Sequence, residues 1–390
     1  MMKLIRVTTV PMALKVLLRG QMKYMASHGF DVVMVSADGI ELEDVKMYEG
    51  VRHECIHMTR QITPLADIRS LWKLYRFFKK EKPDIVHSHT PKAGLLAMMA
   101  GRMAGVPVRI HTIAGLRFMT SAGLTRRILV AMEKITGRMA THVWPNSNSL
   151  RSYVVEQKLV SPRKLDMVGK GSSNGIDLER FSRSALRPER IGEVKKIMQY
   201  DPACIYITAV GRIVKDKGIA ELTQAFIRIY EQDKNVRLVL VGSFEEHLDP
   251  LDGDTMQFIK THPAVILAGW HDDVEYFMAQ ADLFIHPSYR EGFPNVVLQA
   301  GAMECGVLVS RIPGNVDIVD DQENGFVFAV QDAEDLYQKL NQALREPQRM
   351  KALGQQLRKK IEANFDRRYV QDQLRQKYEA LLAASGKSNT

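Results

Sequence analysis

Residues 286–300, with the sequence HPSYREGFPNVVLQA, place a carboxylate next to a turn that could bind an anion. An apolar strand is predicted at Asp282–Pro287. Gly292 and Pro294 then break the chain before a helical pattern begins. The first backbone N–H groups of a helix have no partner within it, so they are available to a negatively charged ligand. Glu291 stands directly before this turn, where its carboxylate could contact a ligand held there.

A second cluster carries positive charge. The apolar strand predicted at Ile205–Val210 leads into Gly211-Arg212, and Lys217-Gly218 precedes the next helical pattern. Parallel α/β sheets present ligand-binding groups at the carboxyl ends of their strands. The cluster therefore predicts two cations, Arg212 and Lys217, at such an edge.

The elements that would position these residues form two successive α/β series, which predicts two doubly wound parallel sheets. The strands predicted for the first series are 4–10, 31–37, 84–89, 108–113 and 142–145. Those predicted for the second are 205–210, 237–241, 265–268, 282–287, 306–312 and 326–329.

A chain of 390 residues is too long for one core and suits two domains. The charged stretch 183–200 lacks strand character, so we place the boundary between 180 and 202. The predicted domains are residues 1–185 and 200–366. They are followed by a carboxy-terminal segment, 367–390, whose helical pattern covers 367–384.

Composition limits the class of protein. The chain is 45% hydrophobic and 25% charged, which is typical of a soluble globular protein. Its three cysteines show no CxxC spacing, which favours a reducing cytoplasm over a disulfide framework. Neither a signal peptide nor an apolar run long enough to span a bilayer is recognisable. The net charge of +9 favours anionic partners, among them lipid headgroups and nucleic acid.

The two clusters together resemble glycosyltransferase family 4, whose members are retaining enzymes of the GT-B fold. That resemblance implies two Rossmann-like domains facing across a cleft, with the carboxy-terminal helix returning to the first domain. In the family a glutamate, seven residues and a second glutamate contact the donor. Here Glu291 is the first and Gln299 replaces the second.

The resemblance also implies roles for the site residues. Glu291 would contact hydroxyls of the donor sugar and Gln299 the nucleotide ribose, while Arg212 and Lys217 would clamp the diphosphate. The remaining donor-binding residues would be Gly211, Gly292, Phe293, Pro294, Asn295 and Val296. The co-substrate would be a nucleotide sugar, a UDP-sugar in the favoured interpretation, with no other cofactor and no metal.

In the first domain, 84–94 and 107–116 also resemble family strands and loops. His111 is interpreted as ending a strand at the position that approaches the donor sugar, which makes it a fourth candidate catalytic residue. His87 and His89 alternate along a strand and could form half of a metal site. No third ligand accompanies them, so we interpret them as packing groups.

An acceptor or a membrane could dock on a basic amphipathic helix at 70–80, where Leu71, Leu74, Tyr75 and Phe78 share one face. The same stripe is what a helix covering a sheet requires, and both interpretations stay open. The stretch 117–138, with Phe118 and Leu124 among arginines, is an alternative docking surface.

The sequence therefore predicts a retaining, metal-independent hexosyl- or N-acetylhexosaminyl-transferase. Its predicted acceptor is a polyprenyl-diphosphate-linked saccharide in the assembly of a surface polysaccharide such as capsule. Its predicted location is cytoplasmic, peripheral on the inner face of the cell membrane. The alternatives are a GT-B epimerase or phosphorylase and a non-enzymatic nucleotide- or nucleic-acid-binding protein. Nucleic acid is disfavoured because the chain is only 7% aromatic and its cations are scattered.

Overall fold

The computed structural model describes residues 1–59, 61, 63–245 and 249–386. It contains two compact units, Met1–Gly175 with Arg367–Thr390 and Ile176–Asp366. The stretch 180–202, where the sequence placed the boundary, lies inside the second unit. Of the predicted carboxy-terminal segment, 387–390 lie outside the described residues.

Before residue 175, the described part of the first unit contains six strands and seven α-helices. The strands are β1 (Met2–Val7), β2 (Phe30–Ser36), β3 (Arg52–Cys55), β4 (Ile85–Ser88), β5 (Val108–Ile113) and β6 (His142–Pro145). The helices are α1 (Pro11–Leu17), α2 (Gln21–Ser27), α3 (Leu42–Glu49), α4 (Pro64–Glu81), α5 (Pro91–Ala104), α6 (Gly123–Met139) and α7 (Asn148–Glu156). The strands form one parallel sheet in the order β3-β2-β1-β4-β5-β6.

Strand β3 was not predicted from the sequence. Its residues, Arg-His-Glu-Cys, are polar and mostly exposed, because β3 is the short edge strand of the sheet. An edge strand need not be apolar. The sequence of β3 therefore shows neither a continuous apolar run nor an alternation of apolar and polar residues, the two patterns that indicate buried strands.

The second unit is built in the same way. Its strands are β7 (Ile205–Val210), β8 (Val236–Val241), β9 (Val265–Gly269), β10 (Leu283–His286), β11 (Val307–Ser310) and β12 (Phe326–Phe328). Its helices are α8 (Pro188–Ile197), α9 (Ile219–Gln232), α10 (Gly253–Thr261), α11 (Val274–Ala279), α12 (Asn295–Ala302), α13 (Asn315–Ile318), α14 (Ala333–Arg345) and α15 (Pro347–Asn364). The strand order is β12-β11-β10-β7-β8-β9, so the predicted pair of doubly wound parallel sheets is confirmed.

The last helix, α16 (Arg367–Ala384), belongs to the first unit and has the bounds that its sequence pattern predicts. Arg6 Nη1 donates to the Tyr378 hydroxyl oxygen at 2.7 Å. The Tyr378 hydroxyl also forms a hydrogen bond with His87 Nδ1 at 2.5 Å, and His87 Nε2 forms one with Thr112 Oγ1 at 2.7 Å. This buried chain of hydrogen bonds fixes α16 to the sheet.

Candidate functional site

The second unit has a pocket where β7 and β10 lie side by side and the strand order reverses. Open α/β sheets bind ligands beyond the carboxyl ends of their strands at this point. The pocket is lined by the carboxyl ends of β7 and β10 and by the loops that follow them. Its polar lining includes Gly211, Arg212, Lys217 and His286, so the two predicted cations are brought together here.

The backbone at Gly218 places Lys217 beside the loop after β10. Lys217 ends a short 3-10 helix, and Gly218 adopts a left-handed conformation with φ of 67°. A Cβ atom at residue 218 would lie 2.1 Å from the carbonyl oxygen of Pro287. Only glycine allows this approach, which explains the Lys-Gly pair in the sequence.

Glu291 is held by an ion pair with Lys217 and by a hydrogen bond from Ser288 Oγ at 3.2 Å. Burial raises the pKa of the Glu291 carboxyl, but the neighbouring groups, the Lys217 ammonium first among them, outweigh burial and hold that pKa well below its usual range. Glu291 is therefore ionised at neutral pH. The site thus holds a fixed carboxylate next to a cation.

Arg212 lies at the mouth of the pocket with 47% of its side chain exposed. Its Nη1 pairs with Glu245 Oε2 at 2.7 Å. Exposed pairs of this kind are weak, about 0–1 kcal/mol, so an incoming anion could take over the guanidinium.

Two further contacts hold the loop that carries Glu291. The Arg290 guanidinium pairs with Asp216, with Nη2 at 2.7 Å from Oδ2. The Tyr289 hydroxyl donates to the Glu221 carboxylate at 2.7–2.8 Å. Because Asp216 and Glu221 flank the Lys217-Gly218 turn in the sequence, both contacts tie this loop to the turn.

Helix α12 follows the Glu291 loop. The Phe293 side chain is buried against Phe365, with ring centroids 5.1 Å apart, so Phe293 can offer a ligand only its backbone. No side chain caps the start of the helix at Asn295. The Gln299 side chain is partly exposed and makes no hydrogen bond to the residues that the structure describes. The remaining predicted members of this segment, Gly292, Pro294 and Val296, lie beside them, with Gly292 and Pro294 buried.

The interpretation of His111 as ending a strand is wrong. Strand β5 continues to Ile113, and His111 is buried with Nδ1 2.9 Å from Ser88 Oγ. Its ring fills the space beside Gly94, where a Cβ atom would lie 2.3 Å from the ring. Burial lowers the pKa of His111 to about 4, so the ring is neutral.

Sequence reasoning missed four residues of the site. His286 and Ser288 lie next to the Glu291 carboxylate, Asn315 contacts His286, and Glu245 pairs with Arg212. His286 and Ser288 lie inside the segment that carries the prediction, and a histidine at the end of an apolar strand could have been named. Asn315 and Glu245 reach the site through the fold alone, from the start of α13 and the loop after β8. Among residues 1–59, 61, 63–245 and 249–386, no cluster of three or more metal-ligating side chains occurs, and no helix is long and apolar enough to cross a membrane.

Two family models match the chain. Residues 195–360 match the model of glycosyl transferases group 1, and residues 14–171 match a glycosyl transferase 4-like domain. The chain is 34% identical over 369 residues to the capsular polysaccharide biosynthesis glycosyltransferase CapM of Staphylococcus aureus, covering 95% of each chain. It is 27% identical over 317 residues to the UDP-Gal:alpha-D-GlcNAc-diphosphoundecaprenol alpha-1,3-galactosyltransferase of Escherichia coli, covering 80% of this chain and 79% of that protein.

Among solved structures, Anabaena Alr3699/HepE in complex with UDP and glucose superposes with a TM-score of 0.79 at 16% identity. The match covers 97% of this chain and 100% of that chain. At this level of identity the likeness concerns the fold.

Proposed function

This chain belongs to the group 1 glycosyl transferases, and we propose that it transfers a hexosyl or N-acetylhexosaminyl group from a UDP-sugar with retention of anomeric configuration. The observation that carries the proposal is the ion pair between Glu291 and Lys217, which lines the pocket together with the exposed guanidinium of Arg212. Family membership argues against the alternative of a non-enzymatic nucleic-acid-binding protein.

In the proposed reaction, the bond between the sugar C1 and the diphosphate oxygen breaks while a bond from C1 to the acceptor oxygen forms. Negative charge grows on the leaving diphosphate, and the acceptor hydroxyl proton leaves with it. Arg212 and Lys217 are fixed cations at the pocket that can stabilise this charge without a metal ion. Their present partners, Glu245 and Glu291, occupy them until the donor binds.

Glu291 is the proposed anchor of the transferred sugar. Its ionised carboxylate is an acceptor for sugar hydroxyls, and Ser288 limits its rotation. Gln299 is the proposed partner of the nucleotide ribose, since its amide can donate and accept and is not engaged elsewhere in the described chain. We leave His111 out of the catalytic set because its ring is buried between β4 and α5.

The proposed acceptor is a polyprenyl-diphosphate-linked saccharide used in the assembly of a surface polysaccharide. Support comes from the two relatives, one a capsular polysaccharide enzyme and the other an enzyme acting on a diphosphoundecaprenol-linked sugar. Such an acceptor is anchored in a membrane, so we also propose that the enzyme works at the cytoplasmic membrane surface.

Helix α4 offers a surface for this contact, though not the one predicted. The predicted stripe largely faces the core, since Leu74 and Phe78 are buried. The opposite face exposes Leu65, Ile68 and Trp72, which recur with helical spacing. Lysines and arginines flank this face: Arg69, Lys73, Arg76, Lys79 and Lys80. Exposed apolar residues with flanking cations suit an anionic membrane, at about 1 kcal/mol per well-placed cation.

Mass spectrometry of products from a panel of UDP- and GDP-sugars, with polyprenyl-diphosphate-linked saccharides as acceptors, tests the proposed transfer. We expect a product with a UDP-sugar, also in excess EDTA. Proton NMR of that product should show that the anomeric configuration of the donor is retained. Absence of product with every donor contradicts the proposed function, and loss of product in EDTA contradicts the metal-free mechanism.

Sedimentation with anionic liposomes tests the membrane contact. We expect the wild type to sediment at low salt and to be released at high salt, and Trp72→Ser to sediment less. Ile40→Ser is the matched control, because Ile40 is an exposed apolar residue outside α4. Equal sedimentation of both variants would contradict the assignment to α4.

A further inference from the structure

His286 is a buried histidine with an unused nitrogen in the pocket. It ends β10, is only 3% exposed and lines the pocket beside Lys217. Its Nε2 atom is buried and has no hydrogen-bond partner among the residues that the structure describes. Buried polar atoms are seldom left without partners, so this one calls for an explanation.

The neighbours of His286 fix its tautomer. Asn315 Nδ2 donates to the Ser310 carbonyl oxygen at 2.9 Å and to Ser310 Oγ at 3.2 Å. The Asn315 carbonyl oxygen must then face His286 Nδ1, which lies 3.1 Å away and donates to it. Burial lowers the pKa of His286 although Glu291 is close, so the ring is neutral. The proton is on Nδ1, and Nε2 presents a lone pair.

This lone pair faces a second acceptor. His286 Nε2 is 3.6 Å from Glu291 Oε1, which is too far for a hydrogen bond. The same oxygen receives Ser288 Oγ, and Ser310 Oγ donates to the Ser288 carbonyl at 2.5 Å. Contacts from Ser310 on β11 and Asn315 on α13 hold both the imidazole at the end of β10 and the loop that carries Glu291, so the two acceptors lie side by side.

Two neighbouring acceptors match a ligand that donates two neighbouring hydrogen bonds. Adjacent hydroxyls on a sugar ring do this, one to an imidazole nitrogen and one to a carboxylate. Lys217, which contacts Glu291, is the proposed partner of the diphosphate. The diphosphate carries the ribose at one end and the transferred sugar at the other. We place the ribose at Gln299, so the acceptors beside Lys217 are left for the transferred sugar.

We propose that His286 is a specificity-determining residue for the donor, accepting through Nε2 a hydrogen bond from one hydroxyl of the transferred sugar while Glu291 accepts from the adjacent hydroxyl. This inference rests on the proposed function and says which groups of the transferred sugar the site binds, namely two adjacent hydroxyls. Asn315 and Ser310 act as positioning residues, because they hold the imidazole in the tautomer that can only accept at Nε2.

Nitrogen-15 NMR of histidine-labelled protein tests the tautomer and the contact. The His286 signals are assigned among the 11 histidines by their loss in His286→Gln. We expect a proton on Nδ1 in the ligand-free protein. We also expect the Nε2 shift to change more with the UDP-sugar that gives product than with UDP, which has the diphosphate but lacks the transferred sugar. A proton on Nε2, an imidazolium at pH 7.5, or the same change with UDP alone would overturn the proposal.

Kinetics with His286→Phe and single-deoxy donors give the second readout. For the full donor we expect kcat/KM to fall about five- to fiftyfold, the effect of losing one or two buried hydrogen-bond contributions. For the donor that lacks the contacted hydroxyl, the same substitution should change kcat/KM less than twofold (~0.4 kcal/mol). UDP affinity and the thermal unfolding midpoint serve as controls for the fold. If His286→Phe fails to fold, His286→Gln takes its place.

Equal losses with the full and every deoxy donor would refute the contact with the sugar. If the wild type transfers no sugar from any donor, the proposed function fails. The tautomer in the ligand-free protein then still decides whether His286 is an acceptor.

Discussion

Replacing Lys217 by methionine should separate the stabilising role of the Lys217–Glu291 pair from its role in the reaction. About a fifth of each side chain is exposed, 21% for Lys217 and 22% for Glu291. Removing one partner of a fully buried ion pair costs about 3–5 kcal/mol. Because these two are not fully buried, we expect Lys217→Met to lower the free energy of unfolding by about 2–3 kcal/mol. The Lys217→Met/Glu291→Gln double variant should recover most of that loss.

The pH dependence of the loss has a definite sign. In the wild type the pKa of Glu291 is depressed by Lys217, so its contribution to stability is present above the pKa of the unfolded chain and is lost as pH falls through the folded value. In Lys217→Met the first cause that lowers this pKa is gone while burial still raises it, so the pKa of Glu291 rises and the variant loses less stability as the pH falls. The difference in the free energy of unfolding between the wild type and Lys217→Met should be largest at pH 7 and should shrink towards pH 4.

Urea unfolding measures the stability side of this prediction, and product formation measures the chemical side. Turnover should fall by at least about a hundredfold in Lys217→Met, as when one fixed charge stabiliser is lost, and the double variant should not recover it. The surface pair Arg228–Glu334 is the control, since Arg228→Met should change stability by less than about 1 kcal/mol. Two results would refute the reasoning. One is a double variant whose loss in the free energy of unfolding equals the sum of the two single losses, and the other is a Lys217→Met turnover near the wild-type value.

Three other substitutions follow from single contacts. Gly218→Ala should destabilise the protein by about 2 kcal/mol or more and abolish transfer, because the added Cβ atom meets Pro287 at a left-handed backbone position. Urea unfolding measures the loss, and Gly253→Ala is the control because the space around Gly253 is open. Tyr378→Phe should lower the free energy of unfolding in urea by about 1.5–3 kcal/mol, because Arg6 loses a buried hydrogen bond. An unchanged free energy of unfolding would contradict the role of that contact. Gln299→Glu should transfer sugar, because a carboxylate still accepts from ribose hydroxyls; a folded but inactive variant would exclude the assignment to ribose.

The strands of the second unit could be predicted because central parallel strands are continuous apolar runs. Strand β7 has the predicted bounds, Ile205–Val210, and β10 differs by a residue at each end. The polar edge strand β3 carries no such pattern. Residues 183–200, interpreted as a boundary, contain α8, whose only fully buried residue is Val194. A helix with so narrow an apolar face is hard to distinguish from a charged linker.

The candidate site was only partly predictable. Glu291, Arg212 and Lys217 could be named because each lies in a short motif after a strand. The residues that set their chemistry come from distant parts of the chain. Glu245 pairs with Arg212, and Asn315 fixes His286, only because neighbouring strands bring their loops together. The spacing of residues along the sequence does not predict such contacts between distant segments.

The central claim is that the pocket between β7 and β10 binds the diphosphate by its own cations. Calorimetric titration of UDP into the wild-type protein and into Lys217→Met, both in excess EDTA, tests this claim most directly. We predict that UDP binds the wild type without metal and binds Lys217→Met at least about tenfold more weakly, as expected when a hydrogen bond to a charged group is lost. Equal affinity of the two proteins, or binding only after a divalent metal is added, would contradict this account.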